Sequence, residues 1–255
     1  MLKRILLSCS ALLVCTPMAM SAADVRAQAV PKLTVDQIVE RNVSARGGLE
    51  AWHAVNSLSM SGKMEAGGTT NSELPFVTEM QRPRKTRIEL QVEGKTAVQV
   101  FDGVHGWKLR PFLGRNTVEP FSPEELRSAA SQAELDGPLV DYAAKGNHLE
   151  LETVEPVEGR EAYKLKLTDN SGTVKHVWVD AESFLEVKVS DAPRRMDGKL
   201  HPVETYYRDY RTSQGLVMPY VFETVVEGVK QTHKIKIENV VVNPRLESAR
   251  FAKPE

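Results

Sequence analysis

Apolar and polar side chains alternate along most of the chain from position 57 onward. In TRIELQV, the apolar Ile88, Leu90 and Val92 alternate with charged and amide side chains. The same period of two recurs in many later segments, which are separated by turn signals that contain glycine. Such alternation gives one apolar face and one wet face, as is typical of an antiparallel sheet. The pattern predicts about eleven strands, joined mostly by short hairpins.

So long a sheet has consequences for the fold. A twisted antiparallel sheet of this length is expected to curl. Its single apolar face must then be covered, or the sheet must close on itself. We therefore expect a mainly β (α+β) fold: a curved, incomplete antiparallel β-barrel in which an N-terminal helix and an inserted helical lid cover the concave apolar face. The remaining length, residues 30–255, fits a single domain.

The N-terminal helix is predicted from its cap and its apolar stripe. Thr34 with Gln37 three residues later forms a capping box. The apolar side chains at positions 35, 38, 39 and 43 share one helical face, and Gly47 ends the pattern. An amphipathic helix of about three turns is the result.

A second helix is predicted in the middle of the chain, where SPEELRSAASQAELDGP interrupts the strands. Ser122, Pro123 and Glu125 specify its start. Its apolar stripe consists mostly of alanine, and at about 25 cal/mol per Å² such a face holds a helix weakly. Two interpretations stay open, a lid that opens for a ligand and plain cover for the core. The candidate lid residues are Leu126, Ala129, Ala130, Ala133 and Leu139.

The first 29 residues have the layout of a signal peptide. Lys3 and Arg4 precede the apolar run ILLSCSALLV, and small residues follow. Cleavage is expected after Ala29 or, alternatively, after Ala23. The run is too short for a membrane span, so we expect no stable membrane anchor. Both cysteines lie in this segment, and export without disulfides favours a bacterial periplasm.

Charge and motifs exclude several classes of function. The chain has 33 Lys and Arg against 34 Asp and Glu, a net charge of −1, so a nucleic-acid partner is not expected. No catalytic fingerprint is present, and the six histidines lack the spacing of metal ligands. We expect no cofactor, no metal and no catalytic residues. A hydrolase whose site is assembled through space is the remaining enzymatic alternative.

Several segments resemble the LolA-like outer-membrane lipoprotein-sorting proteins, which have the LolA/LolB-type fold. They are VDQIVERNVSARGGLEAWHAVNSLSMSGKM near the start, VFDGVHGWKLRPF and VWVDAESFLEVKV in the middle, and YRDYRTSQGLVMPYVFE and VVVNPRLESARF towards the end. The resemblance extends over nearly the whole of residues 30–255. It implies a half-barrel whose hydrophobic cavity receives lipid or lipoprotein acyl chains in the periplasm, with inner- and outer-membrane transfer partners.

The resulting hypothesis is a periplasmic binding protein that serves lipoprotein sorting or lipid transfer in outer-membrane biogenesis, without enzymatic activity. An alternative is a periplasmic sensor or envelope assembly factor that uses the same fold to bind a protein partner. The candidate cavity residues are apolar positions of the predicted strands. They are Met60, Met64, Ile88, Leu90, Val92, Val98, Val100, Trp107, Tyr163, Leu165, Leu185 and Val187.

Overall fold

The computed structural model of the protein describes residues 30–65, 73–196 and 198–255. The proposed signal peptide, residues 1–29, lies outside these ranges. The helices are α1 (Val35–Ala45), α2 (Leu49–His53) and α3 (Pro123–Gln132). None of the helices in these ranges combines the length and the apolar character that a membrane crossing requires.

Thirteen strands form one sheet in the described part of the chain. The first six are β1 (Ser57–Glu65), β2 (Glu73–Gln81), β3 (Lys85–Val92), β4 (Lys95–Phe101), β5 (Gly106–Arg110) and β6 (Arg115–Pro120). The others are β7 (His148–Val157), β8 (Arg160–Thr168), β9 (Val174–Asp180), β10 (Glu186–Met196), β11 (Lys199–Ser213), β12 (Leu216–Val226) and β13 (His233–Val242).

The strand order shows an open sheet. It runs β6-β5-β4-β3-β2-β1-β13-β12-β11-β10-β9-β8-β7, and every neighbouring pair is antiparallel. Among the described strands, only the pairing of β1 with β13 joins strands distant in sequence. Because β6 and β7 are the two edges, the chain between them, residues 121–147, must cross from one edge to the other. We call this stretch the crossing segment.

The fold class predicted from the sequence is confirmed: the structure is an open, curved β-barrel with few helices. The strand count is thirteen rather than about eleven. Short edge strands explain part of the difference, because the six residues of β6 are all exposed or half-buried and show little apolar alternation. The single-domain boundary at residue 30 stays a prediction.

The helix α1 forms as its capping box predicts and docks by its C-terminal end. The Thr34 hydroxyl accepts a hydrogen bond from the Gln37 backbone, and the Gln37 side chain returns one to the Thr34 backbone. At the other end, the Val217 amide donates to the Arg46 carbonyl at 3.0 Å. Gly47 has a φ of +110°, and a Cβ there would lie 2.3 Å from the Gly215 carbonyl oxygen. The glycine therefore lets the helix end approach β12 closely.

The main core lies on the face of the sheet that α1 and α2 cover, which we call the concave face. Ile38, Val39, Val43 and Trp52 of the helices pack there against strand residues. From the crossing segment, Leu135, Leu139 and Val140 join the same cluster. The crossing segment thus closes part of the concave face.

The opposite, convex face carries two smaller clusters. One contains Val98 and Val100 of β4 and Phe251, which lies in a 3₁₀ turn near the C-terminus. The other surrounds Trp178 of β9 and includes Val187. The C-terminal residues therefore act as cover for the outside of the sheet.

Candidate ligand site on the concave face

Part of the concave face is lined by apolar side chains that are only half-buried. Tyr207 of β11, Phe222 of β12, Ile235 of β13 and Met64 of β1 all pack against the main core while keeping some exposure. Each of them lies opposite the next on the neighbouring strand: Tyr207 pairs with Phe222, Phe222 with Ile235, and Ile235 with Met64. Leu74 of β2 continues the line as the partner of Met64. We call these five side chains the apolar row.

A second line of apolar positions lies beside the apolar row. The register joins Ile237 of β13, Gly62 of β1, Phe76 of β2, Leu90 of β3 and Ala97 of β4. Gly62 lets the backbone of β13 approach β1 closely, because a Cβ there would lie 2.0 Å from the Lys236 carbonyl oxygen. The two lines together make a continuous apolar surface on a curved sheet, of a kind that suits a flexible hydrocarbon ligand.

Five of the predicted cavity residues belong to the main core on the concave face: Met60, Met64, Leu90, Tyr163 and Leu165. Ile88 and Val92 share their face of β3 with Leu90, because side chains alternate along a strand. The structure therefore brings these seven positions to one surface.

The other five predicted cavity residues lie elsewhere. Val98, Val100 and Trp107 pack with the C-terminal Phe251. Val187 belongs to the cluster around Trp178. Leu185 is half-buried in the turn between β9 and β10. Alternation separates the two faces of a strand, but it does not say which face is concave.

The candidate lid residues divide between α3 and the loop that follows it. The predicted capping box of α3 is present, with Ser122 and Glu125 as partners. The helix lies against β4 and β5, and its stripe, Leu126, Ala129 and Ala130, is half-buried. The fully buried positions come later, at Ala133 and Leu139.

A buried carboxylate connects the crossing segment to the β2–β3 turn and also joins two parts of the crossing segment. The Asp136 side chain is 2% exposed and accepts hydrogen bonds from Arg82 at 2.8 Å and from Lys145 at 2.5 Å. Its burial opposes ionisation, but the hydrogen bonds from Lys145 and Arg82 outweigh this and lower the pKa of Asp136 below its ordinary value. The carboxylate is therefore ionised and paired at neutral pH.

Arg46, at the end of α1, connects the same segment to β10. Its guanidinium donates to the Asp136 carbonyl at 2.9 Å and to the Glu186 carboxylate at 3.3 Å. The Trp52 ring lies beneath it, 4.4 Å from the guanidinium carbon. The Tyr210 hydroxyl also donates to the Glu186 carbonyl at 2.8 Å. Helix, crossing segment and sheet thus share one buried polar network.

Histidines lie close to carboxylates at several places in the described residues. His53 lies 2.5 Å from Asp141 and His176 lies 3.2 Å from Glu152. Neither pair includes a serine or threonine hydroxyl, and the described residues contain no group of three or more His, Cys, Asp or Glu side chains fit to hold a metal ion. These pairs act as surface contacts.

Sequence reasoning missed several side chains of the site. Asp136, Arg82 and Arg46 of the polar network were not singled out, and neither were Phe222 and Tyr207 of the apolar row. The alternation in YVFETVV could have identified Phe222, because it matches the period-two signal used for other strands. No local pattern marks the polar network, whose partners are far apart in sequence.

Solved structures share this architecture. A LolA superfamily protein from Nitrosomonas europaea superposes with a TM-score of 0.58 and 13% sequence identity, over 87% of this chain and 99% of that chain. A DUF1329 family protein from Desulfovibrio piger gives a TM-score of 0.58 and 14% identity, over 87% and 98% of the two chains. A domain assigned as an outer membrane lipoprotein-sorting protein from Vibrio parahaemolyticus gives 0.56 and 13%, over 85% and 95%.

These likenesses establish the fold. No protein-family model matches the chain, and a search of curated proteins returned no match. The chain has a LolA-like fold, an open curved β-barrel with helices on its concave side.

Proposed function

We propose that this protein holds the acyl chains of lipids or lipoproteins on its concave face. The observation that carries the proposal is the apolar row, Tyr207, Phe222, Ile235, Met64 and Leu74, which crosses five strands and is left half-buried. Fully burying one such side chain is worth about 1.5–3 kcal/mol. A hydrocarbon ligand that covers this surface gains the share of this free energy that the half-buried side chains do not gain within the protein.

The energetics of such a ligand suit a carrier. Each buried CH₂ group contributes roughly 0.8 kcal/mol, so an acyl chain of about 16 carbons gains on the order of 12 kcal/mol on leaving water. The net change is small when the chain moves from one apolar environment to another. Small changes in the cover of the site can then decide the direction of transfer.

The setting that we propose is the periplasm of a bacterial envelope. The signal peptide expected in residues 1–29 supports export, and the solved structures of like fold include a domain assigned to outer-membrane lipoprotein sorting. In this setting the protein takes its ligand from an inner-membrane partner and delivers it to an outer-membrane partner. It acts by binding and transfer, without enzymatic activity.

Bound lipid provides the direct test. The full chain is expressed with its leader in a bacterial host, purified from the periplasm and examined by native mass spectrometry and lipid extraction. We expect a co-purifying acyl lipid and, after delipidation, saturable binding of a fluorescent fatty acid. Protein that carries no lipid and takes up no fatty acid would contradict the proposal.

Ile235→Ala is expected to weaken binding of the fluorescent fatty acid about tenfold. The change removes three carbon groups from the centre of the apolar row, and roughly half of their contribution of about 0.8 kcal/mol each is available to a ligand. The measurement is a fluorescence titration of the delipidated variant.

Val241→Ala is the matched control for this variant. Val241 lies on the same strand but pairs with Ser59, next to the pair of Val240 with Met60, and therefore occupies the opposite face. It is 39% exposed. Equal weakening by both variants would mean that the ligand does not lie on the concave face.

A further inference from the structure

Strand β9 carries a charged side chain on its concave face. Lys175 alternates with Val177 and Val179, both fully buried in the main core. Its partner on β8 is Leu167, which belongs to the same core. Lys175 therefore lies on the concave face, two strands away from Tyr207 at the end of the apolar row.

This lysine has no direct partner in the described part of the chain, where its ammonium makes no hydrogen bond or salt bridge. Lysines on the convex face of the two neighbouring strands, β8 and β10, are paired. Lys164 lies 3.2 Å from Glu152, Lys166 lies 3.0 Å from Glu150, and Lys188 lies 2.9 Å from Glu204. Lys175 differs from them in both its face and its lack of a partner.

The surroundings of Lys175 disfavour its charge. Burial lowers the pKa of its ammonium, and the nearby charge of Lys145 lowers it further, while Asp191, Glu134 and Asp169 act in the opposite direction. A half-buried cation without a hydrogen-bonded anion is costly for a protein. An anion at contact distance would remove that cost.

The neighbouring carboxylates have other partners. Glu134 lies 3.3 Å from both Arg84 and Lys145. Asp169 accepts hydrogen bonds within its own turn, and Asp191 accepts one from Thr205 at 2.6 Å. They influence Lys175 from a distance without contacting it.

An opening near Lys175 is lined mainly by cations. A groove of about 580 Å³ lies between the β2–β3 turn and the crossing segment, and its lining residues are Arg82, Pro83, Arg84, Glu134 and Lys145. The Asn170 side chain, in the turn between β8 and β9, donates to the Lys145 carbonyl at 3.3 Å, so the turn that leads to Lys175 contacts a residue of the groove. Its three cations pair with the two carboxylates of Asp136 and Glu134, which leaves an excess of one positive charge that favours an anionic group there.

We propose that Lys175 binds the anionic headgroup, a carboxylate or a phosphate, of the amphiphile whose hydrocarbon chain lies on the apolar row. This inference rests on the proposed function and names the chemical class of its ligand. The cations of the groove then draw the headgroup towards the opening while the chain occupies the apolar surface.

The test compares ligands that differ only in headgroup charge. One pair is a fluorescent fatty acid and its methyl ester, and the other is a lysophosphatidic acid and the monoacylglycerol with the same chain. We expect the charged member of at least one pair to bind about tenfold more tightly. Lys175→Gln is expected to abolish that preference and to leave binding of the neutral member unchanged.

Lys164→Gln, on the convex face, is the matched control and should keep the preference. Competition by inorganic phosphate distinguishes the sources of the anion. Displacement of the charged lipid shows that the site also accepts a free anion, and no displacement assigns the contact to lipid headgroups.

If the neutral ligands bind but no preference for the charged ligand exists, or if Lys175→Gln keeps that preference, this inference is wrong and the proposed function stands. If no ligand of either pair binds, the proposed function itself fails.

Discussion

Phe251→Ala is expected to lower the free energy of unfolding by about 3–5 kcal/mol, the usual cost of truncating a buried phenylalanine. The ring is 1% exposed and packs against Val98 and Val100 on the convex face. Its neighbour Arg250 contacts Glu79 at 2.5 Å and Glu89 at 3.1 Å. These ion pairs hold the C-terminal segment in place, so the protein cannot easily collapse into the space that the removed ring leaves. The measurement is unfolding in denaturant followed by circular dichroism.

The control for this variant is Val104→Ala. Val104 is 72% exposed in a turn, and its truncation should change stability by less than about 0.5 kcal/mol. A loss at Phe251 no larger than that of the control would show that the C-terminal residues do not clamp the sheet. Fatty-acid binding should be retained where Phe251→Ala is folded, because the residue lies on the face opposite the apolar row.

The helices and their limits were predictable from the sequence because their signals are local. The capping boxes of Thr34 with Gln37 and Ser122 with Glu125 each act over three residues. Alternation along each strand likewise gave the sheet and its antiparallel character. The curved half-barrel then follows from the length of the sheet and its single dominant apolar face.

The position of each face in the whole molecule was not predictable in this way. Val98 and Leu90 both occupy apolar positions of regular strands, yet Val98 pairs with Glu89 and faces away from Leu90. The convex face can hold apolar side chains there because Phe251, far away in sequence, covers them. A period of two contains no information about such distant cover.

The polar network was not predictable from the sequence either, because its partners are far apart along the chain. Arg46 meets the Asp136 carbonyl across 90 residues and Glu186 across 140. The first contact depends on the path of the crossing segment, and the second depends on the docking of α1 against β10. Lys175, by contrast, was accessible to sequence reasoning: it has the same parity as Val177 and Val179, and a charge on an apolar face is a recognisable signal.

Asp136→Ala is expected to destabilise the protein by about 3 kcal/mol at pH 7, at the lower end of the cost of removing one partner of a buried ion pair. The carboxylate is buried, whereas Arg82 and Lys145 keep some exposure and regain some hydration when it is removed. The crossing segment loses the contact that joins it to the β2–β3 turn. We therefore also expect faster exchange of the fluorescent fatty acid, measured by stopped-flow displacement.

The pH dependence of this variant provides its sharpest check. Because the folded-state pKa of Asp136 lies below its ordinary value of 3.8, its ion pairs stabilise the protein fully above that value and are lost as the pH falls through the folded-state pKa. The stability difference between the natural protein and Asp136→Ala should thus be largest at pH 7 and shrink below about pH 4. Glu150→Ala, which removes an exposed partner of Lys166, should leave the melting temperature unchanged. A difference that stays constant from pH 7 to pH 3 would mean that the ionised carboxylate does not hold the crossing segment.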